Sequence, residues 1–134
     1  MTNQNDVPKR KVLLTGAAGK IGTAFRDYVQ DRYLLRLADR HIADISNPYG
    51  FDVVEMDVAD LDACQALCAG IETVVHLAGD PSGQAGFYGS LLDNNIKGAY
   101  NVFQAAFDQG CQRVIFASSV QAILPSTQSR ARKR

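Results

Sequence analysis

Five short apolar runs, none alternating strictly with polar residues, constrain this chain more than any other feature. They are Lys11-Val-Leu-Leu-Thr15, Tyr33-Leu-Leu-Arg-Leu-Ala38, Asp52-Val-Val-Glu-Met56, Thr73-Val-Val-His-Leu-Ala78 and Arg113-Val-Ile-Phe-Ala117. A strand with one wet face alternates. An unbroken run marks a strand covered on both faces, as in a parallel sheet flanked by helices with right-handed crossovers. Helical periodicity fills the gaps. Ile21, Ala24, Phe25, Tyr28 and Val29 trace one apolar face, with Tyr28 core-facing. Leu61, Cys64, Leu67 and Cys68 trace a second, with Asp60 as its N-cap. Leu92, Ile96, Ala99, Phe103 and Ala106 trace a third. Asn47, Pro48 and Gly50 mark a loop over 40–50, and Pro81, Gly83, Gly86 and Gly89 mark another over 80–89. The expectation is an α/β fold, a doubly wound parallel sheet that stops after about five strands. Residues 1–10 read as a disordered lead-in, 11–119 as the folded unit, and 120–134 as an irregular basic tail.

Composition narrows the function classes. Of 134 residues, 46% are apolar, enough for a packed core. Fourteen Lys and Arg balance fourteen Asp and Glu, so nothing electrostatic points to nucleic acid or a membrane surface. No segment has the length of a membrane span, and MTNQNDVPKRK is too polar for a signal peptide. Cys64, Cys68 and Cys111 are odd in number and form no C-x-x-C. Cys64 and Cys68 share one helix face, and His41 and His76 lie on other elements. No metal site is expected; the cysteines read as buried reduced thiols of a cytoplasmic protein. The tail cations Arg130, Arg132, Lys133 and Arg134 read as a solvated end or as a frame-shifted or artificial terminus, with nucleic-acid binding the weak alternative.

The first run ends in Leu13-Leu-Thr-Gly-Ala-Ala-Gly-Lys-Ile-Gly22. A strand, a glycine turn and a helix seat a pyrophosphate. The first glycine permits the tight turn, the second lets backbone approach phosphate, and the third lets helix pack on strand. The helix start adds unpaired N–H groups and a dipole that favours negative charge. Gly16, Gly19 and Gly22 therefore frame a phosphate, with the amides of Lys20 and Ile21 directed at it. A triphosphatase loop is excluded. It needs four residues between its glycines and Ser or Thr after the lysine, whereas here there are two, Ala17 and Ala18, followed by Ile21. The second run leads into Asp39, at the distance where a carboxylate bonds the adenosine ribose and repels a 2′-phosphate. That favours NAD over NADP, with Arg40 next door the residue that speaks for NADP.

These residues belong to a larger set that resembles the extended short-chain dehydrogenases/reductases, Rossmann-type enzymes acting mostly on sugars and nucleotide sugars. Thr15-Gly16-Ala-Ala-Gly19-Lys-Ile-Gly22 resembles the family's T-G-x-x-G-x-x-G turn. Asp57-Val58 resembles the pair that holds adenine. His76-Leu77-Ala78-Gly79 resembles its H-L-A-[AG] strand end, which lines the cofactor. Asn95-Ile-Lys-Gly-Ala-Tyr-Asn101 resembles its N-x-x-G-[TA]-x-N helix, and Phe116-Ala-Ser118-Ser119 the strand end that carries a catalytic Ser or Thr. Within the family the pattern is similar to uronate dehydrogenases, which oxidise C1 of a sugar acid to a lactone. The resemblance implies NAD as cofactor and a small sugar or sugar acid as substrate, and leaves room for a homo-oligomer in a full-length relative. It implies that Ser119 bonds the reacting hydroxyl and that Ser118 and Ser82 contact the sugar. Asn95 and Asn101 would brace the helix against sheet and cofactor site. His76, at the end of a buried strand, reads as a satisfied core histidine.

One element of the pattern is missing. The family removes the substrate proton with a tyrosine whose pKa is lowered by a lysine one turn on, Y-x-x-x-K. The residues four beyond the five tyrosines are Arg32, Leu37, Val53, Leu92 and Gln104. The expectation is therefore the NAD-binding half of an NAD-dependent sugar oxidoreductase, lacking its base. An epimerase or dehydratase of the same family, or a non-catalytic NAD-binding regulatory module, is the alternative. A fifth strand left uncovered would expose apolar surface and an open sheet edge.

Overall fold

The computed structural model describes residues 7–119; the start of the expected lead-in and the basic tail 120–134 lie outside the described residues. Five parallel strands, β1 (Lys11–Thr15), β2 (Leu34–Asp39), β3 (Asp52–Glu55), β4 (Thr73–His76) and β5 (Arg113–Phe116), form one sheet in the order β3-β2-β1-β4-β5. Helices α1 (Lys20–Val29), α2 (Leu61–Cys68) and α3 (Gly98–Asp108) connect them, with a π-helical segment, Phe87–Lys97, running directly into α3. This is the expected doubly wound α/β arrangement.

The unbroken apolar runs follow from a sheet with a core on each face. Along β1, Val12 and Leu14 point to one side and join Val29 of α1; Leu13 points to the other and joins Leu67 of α2 and Val102 of α3. Successive side chains of a strand alternate faces, so a strand with two cores must be apolar throughout. Asp60 caps α2 as expected, its Oδ1 accepting the Ala63 N–H at 3.1 Å. No helix crosses between β2 and β3. That connection, residues 40–51, lies on the α1 face, where Ile45 and Phe51 pack against the second core.

Three expectations need correction. The α1 face is rotated: Ile21 and Tyr28 are 67% and 69% exposed, and Arg26 is buried in their place. The Tyr28 ring instead lies under the Arg32 guanidinium, 4.7 Å away. An amphipathic aromatic can remain outside when a cation covers its ring. The loop 80–89 is shorter than expected, because helical winding starts at Phe87 and takes in Gly89. The Gly86 carbonyl accepts both the Ser90 and Leu91 amides, so the winding is wider than α from its first turn. The third apolar stripe also shifts. Ile96 and Phe103 face outward, and Gly98, Asn101, Val102, Ala105 and Ala106 form the buried face. Among the described strands β5 is an edge, with Ile115 and Phe116 about half exposed, as its expected lack of cover requires.

Candidate functional site

β1 and β4 are neighbours, yet their following helices lie on opposite faces. The crevice beyond their carboxyl ends is the topological switch point at which open α/β sheets bind ligands. A cavity of about 530 Å³ occupies it. The glycine turn, the end of β2 and the segment after β4 form its walls.

Each glycine of the turn has a separate structural reason. Gly16 has φ +71°, and a Cβ there would lie 2.7 Å from the Ala78 nitrogen. It thus serves both the left-handed turn and the close approach of the two strand ends. At Gly22 a Cβ would lie 2.2 Å from the Gly16 carbonyl oxygen, so the helix can pack onto the turn only as glycine. Gly19 differs. Its backbone is extended (φ −69°, ψ 170°) and a Cβ would meet only the Gly16 oxygen, at 3.3 Å. Among the described residues nothing else beyond its chain neighbours comes within 4 Å of that position. α1 begins at this point with no side-chain cap and no acidic residue in its first turn, and its first backbone bond onto Gly19 is from Thr23. Its leading N–H groups are the donors an anion would use.

Asp39 and Val58 flank the side of the cavity next to β2 and β3, together with Ala38, Arg40, His41 and Met56. The Asp39 carboxylate accepts from the Ala18 amide (2.9 Å) and the His41 amide (3.1 Å), one on each oxygen. It therefore ties the glycine turn to the end of β2 and keeps lone pairs for a ribose hydroxyl. On the opposite side stand Leu77, Ala78 and Gly79. Thr15 Oγ1 accepts the Leu77 and Ala78 amides (3.2 and 3.3 Å) and shares a hydrogen bond with His76 Nδ1, 2.6 Å away. His76 is buried, as expected for a core histidine, but only half satisfied: its Nε2 has no partner among the described residues. Burial lowers its pKa to about 4, so the ring is neutral near pH 7.

The N-x-x-G-x-x-N spacing acquires a mechanical meaning. Asn95 clamps the Asp80 backbone, accepting from its N–H (2.7 Å) and donating to its carbonyl (3.0 Å). Gly98 lies so close to Val58 that a Cβ would sit 2.5 Å from its Cγ2. Asn101 donates to the Val58 carbonyl at 2.9 Å. One helix face thereby fixes the ends of the loops after both β3 and β4. The Asp80 carboxylate accepts from the Ser90 hydroxyl and the Ser82 amide, which holds its pKa below the usual value.

The comparisons with known proteins agree with this geometry. The NAD dependent epimerase/dehydratase family model matches residues 12–133. The chain belongs to that family. It is 41% identical over 116 residues to an NAD-dependent glucose-6-phosphate dehydrogenase of Haloferax volcanii, covering 84% of this chain and 44% of that protein. It is 35% identical over 118 residues to a uronate dehydrogenase of Pseudomonas putida, covering 87% and 43%. A crystal structure of a mutant uronate dehydrogenase from Agrobacterium tumefaciens, complexed with NAD, superposes with a TM-score of 0.73 at 39% identity, covering 82% of this chain and 41% of that one. The chain thus spans less than half the length of these relatives.

The structure brings together ten of the residues singled out for an NAD-dependent family member: Gly16, Gly19, Lys20, Ile21, Gly22, Asp39, Val58, Leu77, Ala78 and Gly79 all line the cavity. Asp57 does not; its Oδ1 accepts the Ala59 amide at 2.9 Å, turning the chain into α2. Asn95 lies behind the wall and acts on Asp80. Ser82, Ser118 and Ser119 are exposed and stand outside the cavity lining, Ser82 in the loop after β4 and the other two just past β5. Sequence reasoning missed Ala38, Met56, His41, Pro81 and Asn94. Each lies next to, or one residue from, a residue it named. Their positions follow from where each strand stops, which is the least readable feature of a sequence. Among the described residues no cluster of ligating side chains could hold a metal, and no helix is long and apolar enough to cross a membrane.

Proposed function

We propose that residues 11–119 form the NAD-binding part of an NAD-dependent sugar oxidoreductase, in its sharpest form a uronate dehydrogenase. The observation that carries this reading is Gly19: an exposed glycine in ordinary extended backbone, at an uncapped helix start, over a cavity at the switch point. Gly16, Gly19 and Gly22 frame the pyrophosphate, and the Lys20 and Ile21 amides donate to it. Asp39 accepts the ribose hydroxyls. Val58 and Met56, with Asp57 behind them, bound the adenine, and Leu77, Ala78 and Gly79, held by Asn95, bound the rest of the cofactor. Bound NAD supplies the hydride acceptor. Ser119 orients the reacting hydroxyl, and Ser118 and Ser82 contact the sugar. Two of the relatives named above act on a hexose phosphate or a uronate, which supports a sugar as substrate. The buried thiols suit a reducing, cytoplasmic setting.

None of the five tyrosines has a lysine four residues on, so this polypeptide by itself binds cofactor without turning over sugar. Calorimetric titration tests the binding. The chain is expected to take up NADH, and Asp39→Ala to weaken it by at least about tenfold through loss of charged hydrogen bonds. Equal affinity in the two proteins would refute the ribose contact. Lactone formed from galacturonate or glucuronate with NAD would show that a base exists in the chain after all.

A further inference from the structure

Arg26 is an unexpected core residue. It sits on α1, 6% exposed, on the buried helix face with Gly22 and Val29. No carboxylate lies within ion-pairing distance of it among the described residues. Burying a guanidinium unpaired costs several kcal/mol by general estimates, and a Leu or Met would fill the space without that cost. Its hydrogen bonds show what the charge is used for. Nη1 donates to the Ser46 carbonyl at 2.6 Å and Nη2 to Thr23 Oγ1 at 3.2 Å, while Nε has no acceptor among the described residues.

Ser46 lies in the connection between β2 and β3, which carries no helix. Inside it Ile45 bonds back to Ile42, Gly50 to Asn47, and Asn47 brackets Phe51. All of these bonds are local. Among the described residues, the Arg26–Ser46 bond is the only hydrogen bond from residues 42–50 to another element. At its near end the same connection leaves the cavity wall through Arg40 and His41, where the His41 amide is held by Asp39. Asp39 and Arg26 therefore hold the two ends of one short segment.

We propose that Arg26 is a positioning residue for the cofactor site: it pins the β2–β3 connection to α1 and so holds the Arg40–His41 wall against the bound dinucleotide. This rests on the reading of the cavity as a dinucleotide site. Arg26 touches no ligand itself. It raises the fraction of molecules whose wall is already in the binding-competent position, and apparent affinity scales with that fraction.

The test is NADH titration of the purified chain at 10 °C, with folding checked by circular dichroism. The proteins are wild type, Arg26→Met, Arg26→Gln, Arg26→Lys and Val102→Ala, the last a core truncation on the opposite face. Arg26→Met and Arg26→Gln are expected to bind about tenfold more weakly, and Arg26→Lys, which keeps a donor for Ser46, to recover most of the loss. Trypsin should cut after Arg40 faster in the Met and Gln variants. Val102→Ala should lower the melting temperature and leave affinity unchanged. Wild-type affinity in Arg26→Gln overturns the proposal even if Arg26→Met fails to fold. An equal loss in Val102→Ala overturns it too, by assigning the effect to general destabilisation. No binding by the wild type would overturn the dinucleotide reading and this inference with it, an outcome distinct from either of the others.

Discussion

Replacing Gly19 by alanine separates what the protein needs from what a ligand needs. The backbone at Gly19 is extended, so alanine adopts it without strain. The added Cβ meets one protein atom, the Gly16 carbonyl oxygen at 3.3 Å, which a shift of a few tenths of an ångström relieves. The remaining cost is that of alanine in place of glycine as the N-cap, on the order of 0.5–1 kcal/mol. In a chain of this size that lowers the melting temperature by roughly 2–5 °C. The cofactor is affected much more strongly. A phosphate oxygen bonded to the Lys20 or Ile21 amide lies about 2.9 Å from nitrogen, and a methyl group beside it forces the pyrophosphate outward. Loss of one such charge-assisted bond is worth about 1.5–3 kcal/mol, or about ten- to hundredfold in affinity. Thermal melts and NADH titration of wild type and Gly19→Ala measure both quantities. A folded Gly19→Ala with wild-type affinity would show that no phosphate lies over this residue.

Further predictions follow from the core. The buried His76 has its pKa lowered to about 4 against 6.5 for a free histidine, so its stabilising contribution is complete above pH 6.5 and is lost as pH falls towards 4. The loss amounts to about 3 kcal/mol; urea unfolding of wild type and His76→Gln at pH 7.5 and 4.5 should show the weaker pH dependence in the variant. Gly98→Ala drives a methyl group into Val58 and should cost about 1–3 kcal/mol, with Val58→Ala in the same chain relieving part of it, read as a non-additive double-mutant cycle. Burial raises the Cys64 and Cys68 thiols to about 11 and about 12. Iodoacetamide at pH 8 should therefore label only the partly exposed Cys111 in the native chain, and all three cysteines in urea, as mass spectrometry can show.

The sheet and the turn were legible because each rests on a constraint that sequence displays directly. A strand with two cores must be apolar through its middle, as Val12, Leu13 and Leu14 of β1 and Val74 and Val75 of β4 are, and Gly16 and Gly22 occupy positions where a Cβ collides with backbone. Periodicity misplaces the α1 face because it counts apolar residues and ignores their polar ends. Tyr28 is drawn outward under Arg32, and Arg26 enters the core because Ser46, twenty residues on, supplies an acceptor. Nothing local in the sequence announces that partner. Gly89 is a loop signal in the sequence, yet glycine is tolerated inside the wide winding of the π segment, whose residues are all at least partly exposed. The outlying roles of Asp57 and Asn95 have a similar origin: motifs say which residues meet near a cofactor, and only the fold says which touch it and which hold the loops that do.

The central claim is that the cavity between the ends of β1 and β4 holds a dinucleotide. Backbone amide NMR of the wild-type chain titrated with NADH tests it most directly. The account predicts saturable shifts confined to Gly16–Gly22, Asp39–His41, Met56–Val58 and Leu77–Gly79. Shifts scattered over the exposed faces of α3 and β5, or none at millimolar NADH, would contradict it.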